Sequence, residues 1–195
     1  VAEAPPVAPP TDLVIQARLR RKIGLARQVQ GRYQAAADAY TLAESILGAP
    51  NEPPIEWRQE WIALQLERMG LYYWTGDVGS IGAIAEQTRP HIEAYGTPNQ
   101  RGDFFGSMAI MALRRDRYIA SDETVAYARA RMAAILDTDH LDTRAGAKFL
   151  LGFTYLWHGD LDAAQSELCA ALEIAKRIGD IGREASCLVY LGIVA

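Results

Sequence analysis

Two segments of the chain share a pattern of small residues, and this internal repeat constrains the fold more than any other feature. Two glycines lie seven residues apart in each segment. After the second glycine, alanine follows at five and at twelve residues, with a large apolar residue at nine. The positions are Gly24, Gly31, Ala36, Tyr40 and Ala43 in the first copy and Gly152, Gly159, Ala164, Leu168 and Ala171 in the second.

This pattern predicts pairs of closely packed helices. A small residue at Gly24 or Gly152 lets a second helix approach, and the following glycine ends the first helix in the left-handed cap conformation. Alanines seven residues apart fall on one face of the second helix. The 45 residues from Gly31 to Gly76 and the 83 from Gly76 to Gly159 give a period of about 40. We therefore predict an all-α stack of about four and a half antiparallel helical hairpins.

Apolar periodicity and turn residues divide the chain into nine predicted helices. We expect a turn at Arg117-Tyr118 and a kink at Pro90. The predicted helices cover residues 11–30, 32–47, 54–75, 77–95, 100–115, 121–136, 141–158, 161–178 and 182–195.

The two ends of the sequence suggest a piece of a larger protein. Residues 1–10 contain four prolines and are predicted to be a Pro/Ala-rich linker, because such a segment is stiff and extended. Residues 11–195 form the predicted repeat domain, truncated in its fifth repeat. The last helix carries an uncharged apolar run that includes Leu188, Val189, Leu191 and Ile193. We expect its open face to support a homodimer through the C-terminal helix.

The repeat resembles the tetratricopeptide repeat, whose eighth, twentieth and twenty-seventh positions are small. Gly24, Ala36 and Ala43 match these positions in the first copy, as Gly152, Ala164 and Ala171 do in the second. The aromatic eleventh position is Tyr155 in the later copy and Arg27 in the earlier one; the usual proline is missing and the repeat is longer. The resemblance implies a right-handed solenoid that binds partners.

Three segments in the second half add a second resemblance. Residues 122–129, 151–164 and 171–180 are similar to helical-repeat regions of large bacterial multidomain regulators. In those proteins the repeats accompany an ATPase module and a LuxR-type DNA-binding or nucleotide-cyclase domain. The resemblance implies a protein-interaction or ligand-sensing module of a signalling or transcription regulator. The alternative is a self-association scaffold that binds no small ligand.

Tetratricopeptide arrays bind along a concave groove lined by the first helix of each pair. The resemblance places an amphipathic set of side chains there, so the implied partner is a protein or peptide, or an anionic small ligand. The aromatic members could instead form core between repeats. The predicted groove residues are Arg18, Arg21, Tyr73, Arg114, Phe149 and Phe153.

Two clusters leave alternatives open. Arg18, Arg21 and Lys22 form a stripe that is either a solvated helix face or an anion-binding wall. Trp57 and Trp61 form a stripe that indicates core, although some of the nearby aromatic set, which also includes Tyr72, Tyr73 and Trp74, must be partly exposed because a two-layer repeat cannot bury both faces of every helix.

The sequence offers no chemistry for catalysis. It contains no phosphate-binding loop, zinc-protease motif or nucleophile elbow, so we predict no enzyme activity and no cofactor for this segment. His91, His140 and His158 lack metal-ligand spacing. Cys169 and Cys187 are expected to be reduced and buried, with a disulfide or metal site as the alternative.

Charge and hydropathy exclude other classes of partner. The net charge is −4, from 20 Lys+Arg and 24 Asp+Glu, which gives no general attraction for nucleic acid. No apolar run reaches the roughly 20 residues of a membrane span. Without a signal peptide in this sequence, we expect a cytoplasmic protein.

Overall fold

The computed structural model describes residues 11–195, and in that range the regular secondary structure consists of helices joined by short turns and loops, with no strand. The predicted all-α class is therefore confirmed, while the predicted linker at 1–10 lies outside the described residues. The helices in the described range are α1 (Thr11–Val29), α2 (Tyr33–Leu47), α3 (Ile55–Thr75), α4 (Val78–Tyr95), α5 (Pro98–Arg115), α6 (Asp122–Ala134), α7 (Leu141–His158), α8 (Leu161–Ile178) and α9 (Ile181–Val194).

Several helix boundaries follow from a glycine–aspartate pair. Gly76, Gly159 and Gly179 each end a helix with a positive φ, between 73° and 93°. The aspartate that follows each glycine accepts a hydrogen bond from the backbone N–H three residues on, and so caps the next helix. These bonds join Asp77 to Ser80, Asp160 to Ala163 and Asp180 to Arg183.

The chain divides into two compact units, one ending at Thr97 and the other covering Pro98–Ala195. In the first unit, α1 packs on α2 and α3, and α3 also packs on α2 and α4. Tyr40 is buried at the α1–α2 contact, and a Cβ on Gly24 would clash with its ring. Trp57 and Trp61 are buried and stacked with ring centroids 6.3 Å apart, as expected for core.

In the second unit, α7 packs against α5, α6, α8 and α9. A Cβ on Gly152 would stand 2.8 Å from Cγ of Leu168 and 3.2 Å from the Ala164 carbonyl oxygen. Ala164 and Ala171 are fully buried. The predicted close helix contacts at these small residues are confirmed.

The cysteines differ from each other in burial. Both are free, but Cys187 is buried and Cys169 is exposed, so the expectation that both are buried is wrong for Cys169. The reason is helical geometry: the neighbouring residue Leu168 points into the core, and a rotation of about 100° per residue turns Cys169 outward. Burial raises the pKa of the Cys187 thiol.

Candidate functional site

Five aromatic rings meet on the second unit, and we call them the aromatic patch: Tyr118, Phe149, Phe153, Trp157 and Tyr190. Phe149, Phe153 and Trp157 lie four residues apart on α7, so they form one stripe, with centroids 6.1 and 6.0 Å apart. Tyr190 of α9 contacts Phe153 edge-on at 4.8 Å. Tyr118 lies 6.2 Å from Phe153 and 6.0 Å from Trp157. Offset and edge-to-face contacts at these distances stabilise the cluster.

The patch remains open to solvent. Trp157 keeps 41% of its surface exposed and Tyr118 keeps 40%, while the other three rings are half-buried. Large rings held in place by neighbours present apolar area with little conformational freedom left to lose on binding. Such a surface can bind apolar side chains of a partner.

Tyr118 reaches the patch because the turn between α5 and α6 has an uncommon backbone. Arg117 and Tyr118 have φ values of 53° and 63°, in the left-handed region that non-glycine residues rarely occupy. The Tyr118 N–H donates to the Leu113 carbonyl at 2.6 Å, and the Ala120 N–H donates to the Trp157 carbonyl at 3.3 Å. The turn is therefore tied to both α5 and α7. Strained residues of this kind cluster at functional sites.

Arg21 does not line an open surface, contrary to expectation. It is only 7% exposed, and its Nε donates to Glu60 Oε1 at 2.5 Å while Nη1 donates to Glu67. Arg18 donates from Nε to the other Glu60 oxygen at 2.9 Å. The prediction of a solvent-accessible Arg21 is wrong, because Glu60 and Glu67 of α3 enclose its guanidinium, whereas Arg18 and Lys22 of the same stripe stay exposed.

Electrostatics reinforce this closed network. Burial acts to lower the pKa of Arg21, but the two glutamates outweigh it and the pKa is raised. Burial raises the pKa of Glu67, and Arg21 opposes that change. Each of the three guanidinium nitrogens of Arg21 donates to a carboxylate of Glu60 or Glu67, so Arg21 is an internal ion-pair residue.

The other predicted groove residues are divided between the units. In the first unit, Tyr73 is half-buried, with its ring 5.2 Å from Trp74. In the second, Arg114 is half-buried in the last turn of α5, while Phe149 and Phe153 lie side by side in the aromatic patch. A groove shared by all six residues stays a prediction.

Sequence reasoning missed Trp157, Tyr118 and Tyr190. The spacing of Phe149, Phe153 and Trp157 could have revealed the first, since residues at i, i+4 and i+8 share a helix face. Nothing local marks Tyr118 or Tyr190, because they join the patch from other elements.

No protein-family model matches the chain, and the search of curated proteins gave no match. Within residues 11–195, no group of three or more His, Cys, Asp or Glu side chains is placed to hold a metal ion. None of the described helices combines the length and hydropathy that crossing a bilayer requires.

Proposed function

We propose that this chain is a protein-interaction module of a larger bacterial signalling or transcription regulator, built as a tetratricopeptide-like right-handed solenoid with a period of about 40. The aromatic patch carries the proposal, because aromatic residues dominate the binding energy of protein interfaces. The close contacts at Gly24 and Gly152 support the repeat, since equivalent small residues do the same packing in both units.

The proposed occupant of the patch is a peptide segment with apolar side chains. The three rings on α7 span two helical turns, so a segment lying along them would place successive apolar side chains between the rings. Binding there would bridge α7, α9 and the turn before α6. It would thereby favour one packing of these helices and, through them, one state of an attached domain.

Selection of peptides on the 195-residue chain tests this function. Peptides that bind the chain are selected from a displayed library. The dissociation constants of the selected peptides are then measured for the parent chain and for its variants. Trp157→Ala should weaken binding by roughly thirtyfold, the effect of losing a hot-spot residue of about 2 kcal/mol.

Trp74→Ala is the matched control, because Trp74 is also exposed, at 61%, but belongs to the first unit. It should leave the affinity unchanged. Peptides that bind both variants equally well, or that lose affinity with Trp74→Ala instead, would contradict a site at the patch.

A self-association scaffold is the second candidate function, favoured by the outer face of α9. Leu188, Val189 and Ile193 are 52%, 61% and 56% exposed, and exposed apolar residues close together often mark an interface. Sedimentation at micromolar concentration should then show a homodimer that Val189→Lys converts to monomer. Val29→Lys, at an 81% exposed site on α1, should leave a dimer intact. A monomeric parent chain would exclude this candidate.

A further inference from the structure

A cleft of about 480 Å³ opens on the second unit, within the size range of small-molecule sites. Its walls combine both signs of charge with apolar surface. They include Asp103 and Ile110 of α5, Arg131 of α6, Gly146 and Phe149 of α7, and Arg183 of α9.

Two arginines approach each other where α7 has no side chain. A Cβ on Gly146 would stand 3.1 Å from Nη1 of Arg183 and 3.6 Å from Nη2 of Arg131. Gly106 on α5 makes further room, because a Cβ there would lie 3.1 Å from Cζ of Arg131. Glycines on two helices thus leave space for the Arg131 guanidinium.

Arg131 is poorly compensated in this position. Its side chain is 17% exposed and its nearest carboxylate oxygen, Oδ1 of Asp103, is 3.9 Å away, too far for a hydrogen bond. Its Nε is buried and has no hydrogen-bond partner within the described part of the chain. Burial lowers the pKa of Arg131; Asp103 opposes this change only in part, and the neighbouring charge of Arg183 adds to it.

Asp180 holds the guanidinium of Arg183 on its Nε side. Its Nε donates to Asp180 Oδ2 at 3.0 Å, while Nη1 is the atom closest to the Gly146 gap. An oxyanion between the two guanidiniums would offset their repulsion and accept charge-assisted hydrogen bonds from both.

We propose that this cleft binds a small organic monocarboxylate, with its carboxylate between Arg131 and Arg183 and its apolar part against Phe149. A planar carboxylate matches the paired donors of a guanidinium. Asp103 and Asp142 also line the cleft, so they disfavour ligands that carry several negative charges. The cleft shares Phe149 with the aromatic patch, but its two arginines lie outside the patch, and the proposal does not depend on peptide binding there.

Nuclear magnetic resonance of the ¹⁵N-labelled 195-residue chain tests the proposal through the arginine Nε–H signals. The probes are benzoate and hexanoate, the uncharged analogue benzamide, and inorganic phosphate. Benzoate or hexanoate should move the Arg131 signal in a saturable way, benzamide should not, and phosphate should bind more weakly.

Three variants locate the binding. Arg183→Gln should weaken binding at least about tenfold through the loss of a charge-assisted hydrogen bond. Gly146→Ala leaves both arginines in place and introduces a residue that favours helix. The new Cβ would occupy the gap between the guanidiniums, so this variant should also bind the carboxylate more weakly. Arg144→Gln changes the same charge at an exposed position of α7 and should leave binding unaltered.

Several results would overturn the proposal. They are the lack of a saturable shift with either carboxylate, equal binding of benzoate and benzamide, and tighter binding of phosphate than of both carboxylates. An equal loss in Arg144→Gln would reveal general surface attraction. If only an acidic peptide binds, and neither free carboxylate does, the site does not serve small ligands.

Discussion

Each unit holds one arginine largely away from solvent, Arg21 in the first and Arg131 in the second, and the two are compensated in opposite ways. In the first unit, Arg21 is held by Glu60 and Glu67 and its pKa is raised. In the second, the buried Nε of Arg131 has no hydrogen-bond partner among residues 11–195, another arginine lies beside it, and burial lowers its pKa. The difference lies in the partners that the surrounding helices supply.

This difference distinguishes a charged residue that stabilises the fold from one that is available to bind a ligand. A buried charge that is fully paired is costly to disturb, because removing one member strands the other. A buried charge that is incompletely paired adds little to stability and persists where a ligand can complete it. The arginine of the first unit therefore belongs to the core, and the arginine of the second belongs to a site.

The largest expected effect comes from making the same substitution in both units. Arg21→Met leaves the buried carboxylates of Glu60 and Glu67 without their main partner, and should cost about 3–5 kcal/mol of unfolding free energy. In Arg131→Met the charge that is lost has a desolvation cost that hydrogen bonds do not fully offset. The free energy of unfolding should therefore be unchanged or rise by about 1 kcal/mol. Denaturant unfolding of the two variants measures both values.

Glu86→Gln supplies the baseline for that experiment, because Glu86 is exposed on α4 and should change stability by less than about 0.5 kcal/mol. Equal losses in the two methionine variants would break the comparison. They would mean that Arg131 is as fully compensated in solution as Arg21.

The close helix contacts at small residues should be equally sensitive to overpacking in the two units, although the compensation of Arg21 and Arg131 differs. Ala36 and Ala164 are both fully buried at the same position of the repeat. Ala36→Leu and Ala164→Leu should each overpack a helix contact and cost about 1–3 kcal/mol. Thermal unfolding checks this, with Ala26→Leu and Ala185→Leu at exposed helical positions as controls. A loss in one unit only would show that the small-residue contact is not equivalent in the two.

A smaller effect concerns the helix cap that differs between the copies. After Gly159, Asp160 caps α8 through the Ala163 N–H. After Gly31, the residue is Arg32, which has nearly the same backbone angles but makes no side-chain cap bond. Arg32→Asp should therefore stabilise the chain by about 1 kcal/mol, the usual value of an N-cap.

The reverse change, Asp160→Arg, should lose a similar amount in the same thermal measurement. If neither variant shifts the melting temperature, the two turns do not share the geometry that their sequences suggest.

Much of the fold can be predicted from the order of residues along the chain. The predicted bounds of α7 and α8, at 141–158 and 161–178, match the observed helices. Their ends depend on local chemistry, in which a glycine adopts a positive φ and an aspartate bonds to the next helix. The small residues also identified the contact points, because only a missing or short side chain permits such close helix approach.

The sequence did not predict which carboxylates pair with Arg21 or which aromatic rings meet in the aromatic patch. Arg21 looked like part of an open stripe because its partner Glu60 lies 39 residues away on another helix, and charge patterns along one helix do not reveal what faces it. For the same reason only Phe149 and Phe153 of the aromatic patch were predicted as site residues, since Tyr118 and Tyr190 come from separate elements.

The sequence by itself therefore determined the all-α class, the bounds of α7 and α8, the glycine that ends α7 and the close contacts at the small residues. Each of these is set by backbone conformation or side-chain size within a few turns of helix. Tertiary structure decided which charges are neutralised and which rings share a surface. Those outcomes depend on distances between residues far apart in the chain, because Coulomb energy and desolvation are set by neighbours in space.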